Sequence, residues 1–174
     1  HHKNTYRIGL SFTNPEGQTF DNTTSPGYLT HQIKETRSEV LATTRVDYIG
    51  YPTSIHHKKT DKIILTEEIK WAEPNFNQII YFELLQGDPN RFFENHNSMV
   101  VSETGARRLF GNEDPIGETI TVKHNFATQG KEIDVVITGV YKDFPTNSHF
   151  KCKYLLNVNA LRTVVDNFDN YMQG

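Results

Sequence analysis

With one cysteine, Cys152, this 174-residue chain cannot form an internal disulfide, so cysteine usage assigns it to no redox compartment. No run of apolar residues approaches the roughly 18 that a membrane-crossing helix needs. Charge of one sign is equally scarce. Eighteen basic against 21 acidic residues leave a formal −3, and the pairs Lys58-Lys59 and Arg107-Arg108 are too short to form a basic patch, so no nucleic-acid partner is expected. The glycines make neither G-x-G-x-x-G nor G-K-[ST]; Gly105, Gly111 and Gly117 recur every six residues, which cradles no phosphate. No fixed-period repeat is present, which excludes a solenoid.

What is present suits a packed chain: 36% apolar and 22% charged residues supply an interior and a solvated surface. His1-His2 reads as the end of an expression tag, and on that reading the chain is a piece excised from a longer protein. Thr5 to Phe12 alternates and carries β-formers, predicting a first strand closed by the turn Asn14-Pro15-Glu16-Gly17. Ser25-Pro26 is an N-cap followed by proline, predicting a helix with Leu29, Ile33 and Val40 on one face. Thr43 to Ile49 predicts a second strand and, with the first, a βαβ-like unit. In "KIILTEEIKWA" the alternation of Ile63, Leu65, Ile69 and Trp71 against charges predicts hairpin-like antiparallel strands. A short helix follows Pro74.

The most punctuated stretch is "SMVVSETGARRLFGNEDPIGETI", Ser98 to Ile120. An apolar strand ends at Ser102, whose hydroxyl suits a helix N-cap, and Glu103 sits where the helix dipole favours an anion. Ala106, Leu109 and Phe110 fall at helical spacing, and Gly111 stands where a left-handed cap belongs. Asn112 to Pro115 makes a turn, Gly117 allows a second backbone exception, and a strand resumes at Thr119. Strands from Glu118 to about His124 and from Ile133 to Val140, an inward-facing Phe150, Cys152 and Tyr154, and a helix from Asn159 to Phe168 complete the expectation.

Candidate chemistry yields to simpler readings. His56-His57 are neighbours on a strand and point to opposite faces, so they read as solvated histidines rather than metal ligands. Asp143, Ser148 and His149 are the residue types of a hydrolytic triad, but no G-x-S-x-G precedes Ser148, and a turn made by Asn147 and Ser148 accounts for them. Glu67-Glu68 and Glu113-Asp114 diverge as adjacent residues do. Trp71 and Phe92-Phe93 read as core. No catalytic, cofactor-binding or metal residue is assigned.

"VVSETGARRLFGNEDPIGETITV", followed by "VVITGVYKDFPTNSHFKCKYLL", resembles the periplasmic core domain of MacB/FtsX-type ABC transporter permeases, above all the long permeases of Bacteroidetes-type bacteria. The resemblance marks Ser102, Gly111, Pro115, Gly117, Gly139, Pro145 and Ser148 as structural signature positions. It implies an α+β fold of two lobes: a porter-like βαβ lobe from residues 1–52 and 145–174, and a β-rich, Sabre-like lobe from residues 53–144. It also implies a non-enzymatic domain without cofactor, held between membrane helices of the permease on the periplasmic side of the bacterial inner membrane. The partners implied are those helices, a separate cytoplasmic ATPase, a second permease in a dimer, and a periplasmic or outer-membrane protein. The alternative is an extracytoplasmic ligand-sensing domain of a membrane receptor, with a hydrolase third.

Overall fold

The computed structural model describes residues 4–22, 24–47, 51–148 and 150–171. The fold is α+β, as the sequence implies. The chain divides into two units, His1–Thr43 with Asp169–Gly174, and Thr44–Phe168.

The first unit contains an antiparallel hairpin of β1 (Leu10–Thr13) and β2 (Thr19–Asn22) and the helix α1 (Tyr28–Thr36). Asn14 closes the hairpin turn: its side chain accepts from the Gln18 amide at 2.8 Å. Phe12 and Phe20 stack across the hairpin at 5.5 Å, yet both are exposed. Among the described residues of this unit none is buried. An isolated hairpin and a nine-residue helix are each marginal in water without an apolar partner.

The second unit is organised by a sheet whose strands are β3 (Val46–Asp47), β4 (Thr53–His57), β5 (Lys62–Thr66), β6 (Ile69–Ala72), β7 (Leu84–Gly87), β8 (Ser98–Ser102), β9 (Thr119–Lys123), β10 (Glu132–Tyr141) and β11 (Tyr154–Asn157). Their order is β3-β6-β11-β8-β10-β9-β4-β5, with β7 also on β10. The ten-residue β10 is the spine. Val136 opposes both Ser98 of β8 and Thr119 of β9, so those strands lie on opposite edges of β10. Gly139 opposes both Val100 of β8 and Gly87 of β7, so β7 shares the edge of β9, further along.

Both faces of the middle of this sheet are covered, and β8 and β11 are buried along their whole length. One face carries Ala72, Val100, Tyr141 and Leu155 against Phe76, Phe92 and Phe93, with Phe82, Phe144 and Phe150 at its margin. Each of these buried rings contributes roughly 1.5–3 kcal/mol by leaving water. Helix α2 (Glu103–Phe110) covers the other face, with Ala106, Leu109 and Phe110 inward.

Several expectations are corrected. The first strand begins at Leu10, not Thr5, and pairs with β2, so no βαβ unit forms there; Val46–Asp47 pairs with β6 instead. Tyr48 and Ile49 of the expected second strand lie outside the described residues. Of residues 145–174, Asp169–Gly174 group with His1–Thr43, whereas β11 is inserted between β6 (parallel) and β8 (antiparallel), where its Tyr154-Leu155-Leu156 finds two buried faces. In β5 the inward residues are Ile64 and Thr66, whereas Ile63 and Leu65 face out. The expected C-terminal helix is a 3₁₀ segment, Val158–Thr163, followed by the single turn α3 (Phe168–Tyr171).

The absence of buried residues among those described in the first unit predicts its early loss. Trypsin should cut at Lys34 and Arg37 well before it degrades the second unit, and mass spectrometry should find a persistent fragment containing Thr44–Phe168.

Candidate functional site

The segment from β8 through α2 to β9 holds most of the signature positions. Ser102 is the N-cap in fact: its backbone is extended and its hydroxyl accepts the Gly105 amide at 3.1 Å. The Ser102 amide in turn donates to the Lys153 carbonyl at 2.8 Å, tying the cap to the chain entering β11. Gly111 ends the helix at φ 66°, with its amide on the Arg107 carbonyl at 2.9 Å. Pro115 is buried, and its carbonyl accepts from Glu118 at 3.1 Å. Gly117, at φ 83°, donates to the Ile137 carbonyl at 2.9 Å, locking the turn to β10.

Gly139 sits where β7, β8 and β10 meet; a Cβ there would lie 3.0 Å from Leu84 and 3.1 Å from Val100. Pro145 and Ser148 close a turn, in which the Ser148 amide donates to the Pro145 carbonyl at 2.8 Å and the Ser148 hydroxyl accepts the Phe150 amide at 3.1 Å. Sequence reasoning overlooked Gly105. A Cβ on it would lie 2.8 Å from the Lys153 carbonyl oxygen, so the missing side chain lets α2 lie against β11. No local signal marks such a contact, since its partner is 48 residues away.

The remaining candidates are separated. His56 faces out and meets Asp61 at 3.0 Å, while His57 is buried. The His57 Nε2 lies 3.2 Å from Glu118, its Nδ1 lies 3.0 Å from the Thr60 hydroxyl, and its ring meets the Phe110 edge at 4.9 Å. This is a carboxylate–imidazole–hydroxyl chain, but Thr60 belongs to the exposed β4–β5 turn and lines neither of the two concavities described below. Lys59 holds Glu118 at 2.8 Å, and that bond, with the one from His57, keeps the carboxyl below its ordinary value.

Asp143 accepts from Thr104 and Ser148 serves its own turn; His149 lies outside the described residues. Glu68 pairs with Lys153 at 2.8 Å, and Asp114 accepts the Ile116 amide at 3.0 Å. Cys152 is buried and donates to the Tyr154 carbonyl at 3.1 Å; burial pushes its thiol up to about 12, so no thiolate is available at neutral pH. Trp71 is core.

Two concavities stand out. Phe92, with Asn77, Tyr81, Phe82, Leu84 and Pro89, lines a cavity of about 150 Å³, small beside the ~300 Å³ lower end of ligand pockets. A shallow groove of about 250 Å³ runs between Leu85-Gln86 of β7 and Glu103, Arg107, Gly111 and Pro115. Among the described residues no group of three or more His, Cys, Asp or Glu is placed to hold a metal.

His124 is a further residue that sequence reasoning passed over. It is 2% exposed, and its Nδ1 accepts the amides of Phe126 and Ala127, both at 3.0 Å, while Nε2 faces the Tyr51 carbonyl at 3.3 Å. The ring is therefore the neutral Nε2–H tautomer, holding the β9–β10 loop as a backbone substitute. Burial lowers its pKa from 6.5, against the opposing hydrogen bond to Tyr51.

The sequence matches the MacB-like periplasmic core domain over residues 2–171. No curated protein matches. Among solved structures, a domain of a putative permease protein from Porphyromonas gingivalis is similar at 21% identity and TM-score 0.65, with 92% of this chain and 69% of that one covered. The extracellular domain of the noncanonic ABC-type transporter YknZ from Gram-positive bacteria is similar at 16% identity and TM-score 0.52, covering 92% and 75%. The periplasmic region of MacB from Actinobacillus actinomycetemcomitans is similar at 14% and 0.52; this chain has 77% of its length matched and spans 56% of that region.

Two predictions follow from the geometry. Gly105→Ala should cost about 1–3 kcal/mol, because the added methyl meets backbone that cannot rotate away. Gly111→Val should cost on the order of 1–2 kcal/mol from backbone conformation alone, since open space surrounds it. Denaturant midpoints check both, and an unchanged Gly105→Ala midpoint would refute the close approach. For His124, a folded-state pKa below the unfolded 6.5 means that the unfolded chain binds the proton more readily. Its contribution to stability is thus complete above about pH 6.5 and declines as acid protonates the ring. Thermal midpoints should fall over that range, and His124→Gln should flatten the dependence.

Proposed function

The chain belongs to the family of MacB-like periplasmic core domains, and from that membership we propose that it is the non-catalytic periplasmic domain of an ABC transporter permease, which relays ATPase-driven conformational change. The observation that carries this reading is the family match across residues 2–171. The geometry agrees with it: the signature positions Ser102, Gly111, Pro115 and Gly117 act through backbone hydrogen bonds and turn conformation and present no reacting group. The domain sits on the periplasmic side of the bacterial inner membrane, joined to the membrane helices of its permease. Its motion is set by a separate cytoplasmic ATPase, the permease works as a dimer, and a periplasmic or outer-membrane protein engages the domain.

A relay needs two arrangements that a distant site biases, and stiff elements that carry the bias. The spine β10, bonded along both edges, is such an element.

The reading is tested in the assembled permease. Hydrogen–deuterium exchange within this domain should differ between the nucleotide-free state and the ATP-trapped state of the ATPase. His57→Gln and Thr60→Ala should leave transport near the parent level. Identical exchange in both states, or loss of transport in a folded Thr60→Ala protein, would overturn the proposal in favour of a static scaffold or a catalytic site respectively.

A further inference from the structure

The His124 ring stands between two exposed aromatic residues that belong to different segments of the chain. Tyr51, ahead of β4, is 58% exposed and Phe126, in the β9–β10 loop, is 62% exposed, yet their rings lie 5.0 Å apart. Rings so exposed gain little by burial. Their backbones are held by the imidazole instead: its Nε2–H donates to the Tyr51 carbonyl at 3.3 Å, and its Nδ1 accepts the Phe126 and Ala127 amides, both at 3.0 Å.

The two nitrogens respond differently to a proton. Nε2 carries hydrogen in both charge states here, so the bond to Tyr51 persists. Nδ1 accepts only while the ring is neutral; once protonated it is a donor facing two donors, and both amides lose their partner. The other bonds of the loop do not replace it, since the His124 carbonyl takes the Thr128 and Gly130 amides and the Phe126 carbonyl takes that of Gln129. Ala127 is fully buried, so its freed amide reaches water only if the backbone at 126–127 shifts.

We infer that His124 is an acid-released latch: the neutral ring holds Tyr51 and Phe126 together as a preset aromatic pair on the surface, and protonation at Nδ1 keeps Tyr51 tethered while it frees Phe126. Burial holds the pKa of the ring below 6.5, so release lies on the acid side of that value. Exposed aromatic residues are the type that interfaces draw on, and the latch makes their presentation depend on pH.

The charged groups on the strands around the ring lie in water or are engaged elsewhere. Burial and the opposing Tyr51 carbonyl are what set its pKa. Lys123 and Glu132 oppose each other at exposed positions of β9 and β10. The Lys131 ammonium is held by the Val164 carbonyl at 2.8 Å, Val164 and Val165 are buried, and Asp166 beyond them is exposed. On the buried face β5 places Ile64 and Thr66, and β4 brings His57, which Glu118 engages at 3.2 Å.

Nuclear magnetic resonance of the isotope-labelled full chain, titrated from about pH 7.5 to about pH 4.5, tests this across the range where a histidine changes charge. At the neutral end His124 should show the Nε2–H tautomer, and the Tyr51 ring protons should cross-relax with those of Phe126. As pH falls, protonation of Nδ1, displacement of the Phe126 and Ala127 amide signals and loss of the ring–ring cross-peak should share one midpoint below 6.5. The amides of Val135 and Ile137 in β10 should hold still over the same range. His124→Asn keeps a short acceptor for the two amides and does not titrate, so its aromatic pair should be independent of pH. His124→Ala should lack the pair throughout, and the parent titration decides the matter even where a variant unfolds. A cross-peak that survives protonation, a ring that stays neutral to the acid end, a pair that still titrates in His124→Asn, or β10 signals that move with the loop, each overturns the inference.

Discussion

The geometry of the second unit depends on β10 being bonded along both of its edges. A ten-residue strand meets β9 over its first half and β7 over its second on one edge, with β8 on the other. Three partners can share it only where the chains approach closely. Gly139, opposite Gly87 and Val100, supplies that room, because a side chain would press on Leu84 and Val100 at about 3 Å. The Thr138 hydroxyl adds a clamp at the same level by donating to the Phe92 carbonyl at 2.6 Å, which holds the phenylalanine layer over the strand. The register shifts in β10 between Ile137 and Gly139 and between Val140 and Tyr141 are the cost of accommodating unlike partners on one strand.

Within that frame the polar side chains act as substitutes for backbone. Ser102 caps α2, His124 caps the β9–β10 loop, and Asn157 donates to the carbonyls of Phe93 and Asn95 at 3.2 and 3.1 Å. Each is buried and hydrogen-bonded to neighbouring main chain, which is what a buried polar group requires if it is not to destabilise the fold. The chain Glu118–His57–Thr60 obeys the same logic: it ties the β4–β5 turn to the start of β9 and ends on a hydroxyl in open solvent. Similar residue types at a reacting centre would converge on a cavity.

How much was legible in the sequence followed the range of the interactions. The β8–α2–β9 stretch could be read almost residue by residue because its signals are local: Ser102 accepts the Gly105 amide, Gly111 donates to the Arg107 carbonyl, and Gly117 supplies a positive φ to its own turn. The destination of β11 could not be read, since Tyr154-Leu155-Leu156 is apolar on both faces and fits any central slot; only pairing with β6 and β8, far away in sequence, decides it. The facing of β5 failed for a related reason. "IIL" puts apolar residues in both phases of a period-2 pattern, and burial under the sheet selects Ile64 over Ile63 and Leu65. Gly105 and His124 carry no local mark of their roles, because each is defined by the backbone packed against it.

The two units differ in the quality that matters for a relay. Thr44–Phe168 has a core on both faces of its sheet, whereas the described residues of the other unit include none that is buried. Elements that rearrange at modest cost come from the low-stability end of a protein, and elements that transmit a displacement come from the packed end, where a shift at one strand cannot be absorbed by its neighbours. On the proposed relay function the hairpin and α1 would supply compliance and β10 with its partners would supply stiffness. Such a division of labour needs no reactive group anywhere in the chain. It requires that the signature positions be chosen for backbone geometry, as Ser102, Gly111, Gly117 and Gly139 are.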